Sequence, residues 1–223
     1  MNKQRIAFSS KFKNLSQVFQ IQPSSLSDFL KGYELQYHNA VKEMQDEKFS
    51  FNLRDNRTVS EYLYDLCEGW IMEDLIAWKV QQLLSEKGNY QVKLNGCEVS
   101  QSGRKIITTK INSKSDLVVV GNTEQKLEIQ FSNADRSSYD IKENKIKQAK
   151  KEKALIFVYS LPLSKGFVVD ALSPVHMRVA QLISNPGWGG KQAYRFSKQD
   201  IPSLGGFLSV QELVDKLIEE VKG

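Results

Sequence analysis

The chain has 223 residues, 40% of them hydrophobic, which is enough to bury one substantial core but not two independent domains. A formal net charge of +5, from 31 Lys and Arg against 26 Asp and Glu, favours anionic partners, without the solid basic blocks of a disordered nucleic-acid tail. Two cysteines without pairing or metal spacing, two distant histidines and no apolar run near the ~18 residues of a membrane span exclude a disulfide scaffold, a zinc site and a membrane protein, so a reduced, cytoplasmic protein is expected, with any metal held by oxygens.

Residues 1–57 are polar and mixed, and are read as an N-terminal helical segment whose main helix starts at a Ser25 or Ser27 cap and runs to about Lys48. Over residues 59–87, Leu63, Leu66, Trp70, Ala77, Val80 and Leu84 keep to one helical face, and Gly88-Asn89 stops the pattern, so a long, mostly buried helix is predicted. The period then changes to two. Strands are expected over residues 90–94 and 104–110, with Asn95-Gly96 and Ser102-Gly103 as turns. Residues 117–120 form an apolar, β-branched run, Gly121-Asn122 opens a turn, and residues 126–131 alternate, which together read as a hairpin.

A Lys-rich helix over residues 139–153 leads into strands over 154–159 and 166–170, joined by a turn containing Pro162. A loop-rich stretch at 185–191, a strand at 193–196 and an amphipathic helix from about Ser209 to Val221 complete the chain. The order helix, strands, hairpin, helix, strand, strand predicts an α/β protein with a mixed central β-sheet flanked by helices. One domain over 1–223 is expected, made of the segment 1–57, a core over 58–172 and a C-terminal loop and helix subregion over 173–223.

Chemistry is concentrated in the hairpin. Asp116 stands at the start of its first strand, while Glu128 and Gln130 lie two apart on the returning strand and so on one face. Folding the hairpin presents Asp116 and Glu128 to one hard cation, with the Ile129 backbone carbonyl as a third oxygen, an arrangement suited to Mg2+ and open to Mn2+. Phosphodiester hydrolysis calls for such a cation, because the attacking water must lose a proton while negative charge grows on phosphorus. Gln130 is too weak a base to take that proton and would instead orient the water. With 26% of the residues charged, such spacings also arise by chance, and the competing reading makes Asp116 a turn cap and Glu128 and Gln130 the solvent face of a strand.

The run Ser115-Asp116-Leu-Val-Val-Val120, followed by Leu127-Glu128-Ile-Gln130-Phe-Ser-Asn133, resembles the core of the PD-(D/E)xK nuclease superfamily. Gln130 stands where the superfamily usually has Lys, and Ser115 where the motif has Pro. The run Glu-Ile-Gln-Phe-Ser-Asn over 128–133 is similar to type II restriction endonucleases of the BglII kind, and the wider pattern covers residues 60–172.

The resemblance implies a restriction-endonuclease-like core in which Asp116, Glu128 and Gln130 are catalytic and Asp116, Glu128 and Ile129 hold Mg2+. It also implies cleavage of double-stranded DNA at a short specific site, by a homodimer whose two-fold axis matches a palindromic target. A Lys displaced to Lys142 or Lys145 is the alternative to Gln130. Glu73 interrupts the apolar stripe of the long helix, where the superfamily places a Glu facing the active site; the competing reading pairs it with a cation such as Lys79, and Glu68 is a less well placed substitute.

Candidate DNA contacts fall in three places. Lys142 and Lys145 head a run of lysines suited to a phosphate track, which is otherwise a solvated face. Asn133, Asp135 and Arg136 follow the active strand in a polar, aperiodic segment suited to a groove. Trp188, Lys191, Gln192 and Arg195 form the second reader, although Trp188 among three glycines also fits a surface plug over the core. Beside a restriction endonuclease, a structure-specific or repair nuclease of the same fold and a non-cleaving DNA-binding relative satisfy the same residues.

Overall fold

A computed structural model describes residues 7–46, 58–95, 99–100, 103–104 and 114–222. In chain order the helices are α1 (Phe8–Lys11), α2 (Leu15–Phe19), α3 (Pro23–Asp46), α4 (Val59–Ser85), α5 (Glu143–Glu152), α6 (Pro174–Val179) and α7 (Val210–Lys222). The strands are β1 (Gln91–Leu94), β2 (Val99–Ser100), β3 (Gly103–Arg104), β4 (Leu117–Val120), β5 (Glu124–Ser132), β6 (Ser138–Lys142), β7 (Leu155–Ser160), β8 (Lys165–Asp170), β9 (Gln181–Asn185) and β10 (Lys191–Ser197), with short 3-10 turns at Pro186–Trp188 and Ile201–Leu204. Two compact units result, residues 1–75 with 98–111 and residues 76–97 with 112–223.

The first unit is helical. α3 begins at Pro23 rather than at a serine cap: a proline in the first turn loses no hydrogen bond, and the Gln22 carbonyl already accepts from the Leu26 N–H at 3.0 Å. The expected end of this helix near Lys48 lies outside the described residues. α4 opens on a capping box, in which the Glu61 carboxylate accepts from the Thr58 N–H at 2.9 Å and the Thr58 hydroxyl accepts from the Glu61 N–H at 3.2 Å. The core gathers around Phe8, whose ring stacks on Tyr64 at 4.7 Å and meets Tyr37 edge-on at 5.9 Å. Burial, and then the neighbouring Glu68 charge, push the Cys67 thiol up to about 12, so it is inert at neutral pH. β2 and β3 pair antiparallel, and the remainder of the strand expected over 104–110, like Cys97, lies outside the described residues.

The second unit is built on a five-stranded sheet in the order β1-β4-β5-β7-β8, antiparallel except for the parallel pair β5 and β7. On one face Ile156, Val158, Phe167 and Val169 pack with Ile146 and Ala149 of α5 and with Tyr139, Ile141 and Phe196 of a small antiparallel sheet, β6-β10-β9. α7 packs against β4 and β5, burying Leu213, Val214, Leu217, Ile218 and Val221. Its N-terminus is a second capping box: the Glu212 carboxylate accepts from the Ser209 N–H at 2.7 Å and the Ser209 hydroxyl from the Glu212 N–H at 3.2 Å. Its C-terminal carbonyls are satisfied by the turn between β4 and β5. The Asn122 and Thr123 N–H groups donate to Val221 O at 3.0 and 3.2 Å, and the Asn122 amide donates to Lys222 O at 2.9 Å. A Cβ on Gly121 would stand 2.9 Å from that same Val221 oxygen, so no side chain fits there.

The chain is thus α/β, with a mixed sheet flanked by helices, as predicted. The helix expected over 139–153 is shorter, because residues 138–142 are β6. Tyr139 and Ile141 alternate with less buried neighbours and pair opposite Phe196 and Tyr194 of β10, and that long-range ladder outweighs the local helical pattern. The loop-rich stretch at 185–191 is the tight turn of a β9–β10 hairpin, and neither α6 nor β9 was expected. No helix among the described residues is long and apolar enough to cross a membrane.

Candidate active site

β4 and β5 pair with Leu117 opposite Leu127, so continuing the register by one step sets Asp116 beside Glu128. Ser115, Asp116 and Glu128 are 2%, 7% and 3% exposed, which rules out the solvent-face reading of these carboxylates. Asp116 is fixed at both ends: its carbonyl accepts from the Asn95 N–H at 2.8 Å, and its Oδ2 accepts from the Ile129 N–H at 2.6 Å. The carboxylate is therefore tied across the hairpin to the residue that follows Glu128.

Glu128 makes an ion pair with Lys145 of α5, Nζ to Oε1. Burial first, and then the negative charge of Asp116, push its carboxyl from 4.5 up to about 8; Lys145 works against this shift and Glu152 adds to it. Glu152, two turns along α5 from Lys145, accepts from the Ser115 N–H at 3.1 Å and from the Gln148 amide. Lys145, Gln148 and Glu152 follow at steps of three and four on one helical face, so α5 lays a cation against Glu128 and a carboxylate against the backbone that leads into Asp116. That spacing was visible in the sequence, yet Glu152 was not singled out there. Of the two lysines held as alternatives to Gln130, Lys145 is paired with a site carboxylate, Glu128. Lys142, at the end of β6, instead places its ammonium 5.3 Å from the centre of the Trp188 ring.

Among the described residues no group of three or more His, Cys, Asp or Glu is arranged to hold a metal ion. The donors brought together here are two buried carboxylates, both oxygen ligands. They suit Mg2+, which keeps several waters and takes one or two protein carboxylates, better than a cation needing a full protein cage. A carboxylate whose charge raises the proton affinity of its buried neighbour, as Asp116 does for Glu128, is also what a divalent cation relieves.

No protein-family model matches the chain. No curated protein matches it either. Among solved structures it is similar to Hjc, a Holliday junction resolvase from Archaeoglobus fulgidus, at 12% identity and a TM-score of 0.36, over 65% of this chain and 92% of that one. A likeness this loose bears on neither residues nor activity.

The remaining candidates divide by position. Gln130, Asn133, Arg136, Trp188 and Arg195 line one cleft of about 380 Å³, which opens where β5 and β7 end. Arg195 is held in it by Asp140, which accepts from Nε and Nη2 at 2.8 Å each and from the Asn185 amide at 2.8 Å. Asp140 and Asn185 were not foreseen, since nothing in the sequence pairs them with Arg195 before β6 and β10 are known to be neighbours. Asp135 is bound by Lys198 at 2.9 Å, which holds its carboxyl below the usual range. Lys191 and Gln192 are exposed on β10, outside the cleft.

In the first unit Glu73 is half-buried on α4, and Glu68 is ion-paired with Lys11. Lys79, 9% exposed, donates to Gln82 at 3.2 Å.

Proposed function

We propose that this protein is a Mg2+-dependent DNA endonuclease of the PD-(D/E)xK kind, and within that class a type II restriction endonuclease acting as a homodimer on short double-stranded sites. The observation that carries the reading is the buried pair Asp116 and Glu128, side by side across a hairpin, with Lys145 against Glu128. Structural carboxylates at a surface hairpin have no reason to be placed so close and so dry.

In this reading Asp116, Glu128 and the Ile129 carbonyl hold Mg2+ or Mn2+, and when bound the cation supplies positive charge against the charge that develops on the phosphate. Lys145 orients the attacking water with its ammonium, a charged donor that the neutral amide of Gln130 cannot match; Gln130 contacts the nucleotide in the cleft. Asn133, Asp135, Arg136, Lys142, Trp188, Lys191, Gln192 and Arg195 form the DNA surface, with work in the cytoplasm, where DNA lies and unpaired cysteines stay reduced.

A second reading, a structure-specific nuclease, is favoured by the cleft itself, whose volume is scaled to one nucleotide. One experiment separates them. A plasmid of known sequence is digested with Mg2+ and its ends mapped, alongside branched and flapped oligonucleotides. Fragments with fixed ends support restriction, cleavage confined to branched DNA supports the second reading, and no cleavage of any DNA with Mg2+ or Mn2+ removes both.

A further inference from the structure

We infer that the cleft where β5 ends receives a single unstacked nucleobase, stacked on Trp188 with its edge toward Arg195. This deepens the proposed nuclease reading and rests on it for the identity of the polymer. A duplex presents the edges of several base pairs along a groove, whereas this cleft, at about 380 Å³, has the size of a small-ligand pocket.

Its walls have the chemistry of a base site. Trp188 closes the 3-10 turn between β9 and β10, followed by Gly189 and Gly190 at φ of 64° and 77°, conformations that keep the turn tight. The ring lies half-buried and lines the cleft, with the Lys142 ammonium over one of its faces, 5.3 Å from its centre; Lys142 does not itself line the cleft, so the cation holds the ring in place and stands close to the base site. Every base has a π face, so such a ring binds bases of any sequence, and the cation suits the adjoining phosphate.

Arg195 supplies the second element. Its pair with Asp140 uses two of five guanidinium donors and fixes the plane of the group, while the Arg side chain keeps 41% exposure against 13% for Asp140. A donor fork oriented before the ligand arrives loses little entropy on binding and matches the acceptor edge of a base, guanine best. Gln130, which lines the cleft, lies two residues from Glu128 on the same strand face, so a nucleotide seated here adjoins the phosphate presented to the carboxylates.

The test is equilibrium binding in EDTA to three labelled probes of one sequence: a single strand, a paired duplex, and a duplex with one central mismatch. Extrusion costs pairing and stacking, so the single strand and the mismatched duplex should bind about 10-fold or more tighter than the paired duplex. Trp188→Ala should weaken the two tighter complexes by about 5- to 150-fold, with Trp188→Phe restoring most of the loss. In parallel, wild-type protein carrying fluorotryptophan should show the Trp188 fluorine resonance shifting with the single strand while that of buried Trp70 stays.

A shift with the paired duplex as well means that the protein extrudes the base; a shift with the single strand alone means that it takes bases already unpaired. Equal affinity of Trp188→Ala and wild type for all three probes, an unmoved Trp188 resonance, or no binding to any probe overturns the inference. Trp188-dependent binding without cleavage would remove the nuclease and keep the cleft. Cleavage without Trp188 dependence would do the reverse.

Discussion

Replacing Glu128 by Gln tests the electrostatics of the carboxylate pair without any assumption about substrate. The amide keeps the shape of the side chain and can still accept from Lys145, but it cannot ionise. The wild-type carboxyl is raised by burial and by Asp116 from 4.5 to about 8, so between these values the folded state binds a proton that the unfolded chain has released. The stability this group contributes is fully present below pH 4.5 and is lost as pH rises through 8. At ~1.4 kcal/mol per pH unit the loss over this interval is on the order of 5 kcal/mol.

Glu128→Gln escapes that loss. Urea unfolding in EDTA from pH 4.5 to 9 should therefore give coincident stabilities at the acid end and an advantage for the variant that grows through neutrality and levels off above pH 8. Mg2+ at pH 8 should then raise the stability of the wild type and leave the variant unmoved. A stability difference that does not change with pH, or a variant weaker than wild type at pH 9, would refute the arrangement of charges described for this site.

Asp116→Ala should abolish Mg2+-dependent cleavage and cost about 1–3 kcal/mol of stability, because the buried Ile129 N–H loses its acceptor; plasmid digestion and urea unfolding read the two effects separately. In single-turnover cleavage at saturating DNA, Lys145→Ala should slow the reaction by about 100-fold or more, with Gln130→Ala milder and Lys142→Ala affecting mainly salt-dependent affinity; the reverse order would return the water-orienting role to Gln130. Ser209→Ala, which removes one arm of the capping box of α7, should lower stability by about 1 kcal/mol in the same unfolding assay and leave DNA binding unchanged.

The hairpin of β4 and β5 was legible because its signals are local: a β-branched run, a Gly-Asn turn and strict alternation on the return. The same pattern set Asp116 beside Glu128, since a two-residue period leaves a hairpin little freedom of register. The long helix α4 was legible through its apolar stripe. What escaped depends on partners distant in sequence. Tyr139 and Ile141 sit ahead of a strong Lys-rich helical pattern, and only pairing with Phe196 and Tyr194 makes that segment a strand. The moved boundary then separates Lys142 from Lys145, which a continuous helix would have treated as equivalent. Asp140 and Asn185 became visible as parts of the Arg195 site for the same reason, once β6, β10 and β9 were known to lie side by side.

The junction between the β4–β5 turn and α7 bears on how the site is made during synthesis. The carbonyls that receive Asn122 and Thr123 belong to residues about 100 positions further along the chain. While the ribosome is still adding those residues, the hairpin carrying Asp116 and Glu128 has strands but no anchor beneath its turn, and α7 has not yet covered its apolar side. Contacts of such long sequence separation form late in folding. A nascent chain halted before α7 would thus expose Leu117, Val119 and Leu127, residues that are fully buried in the finished fold, and would be a substrate for chaperones until α7 is made.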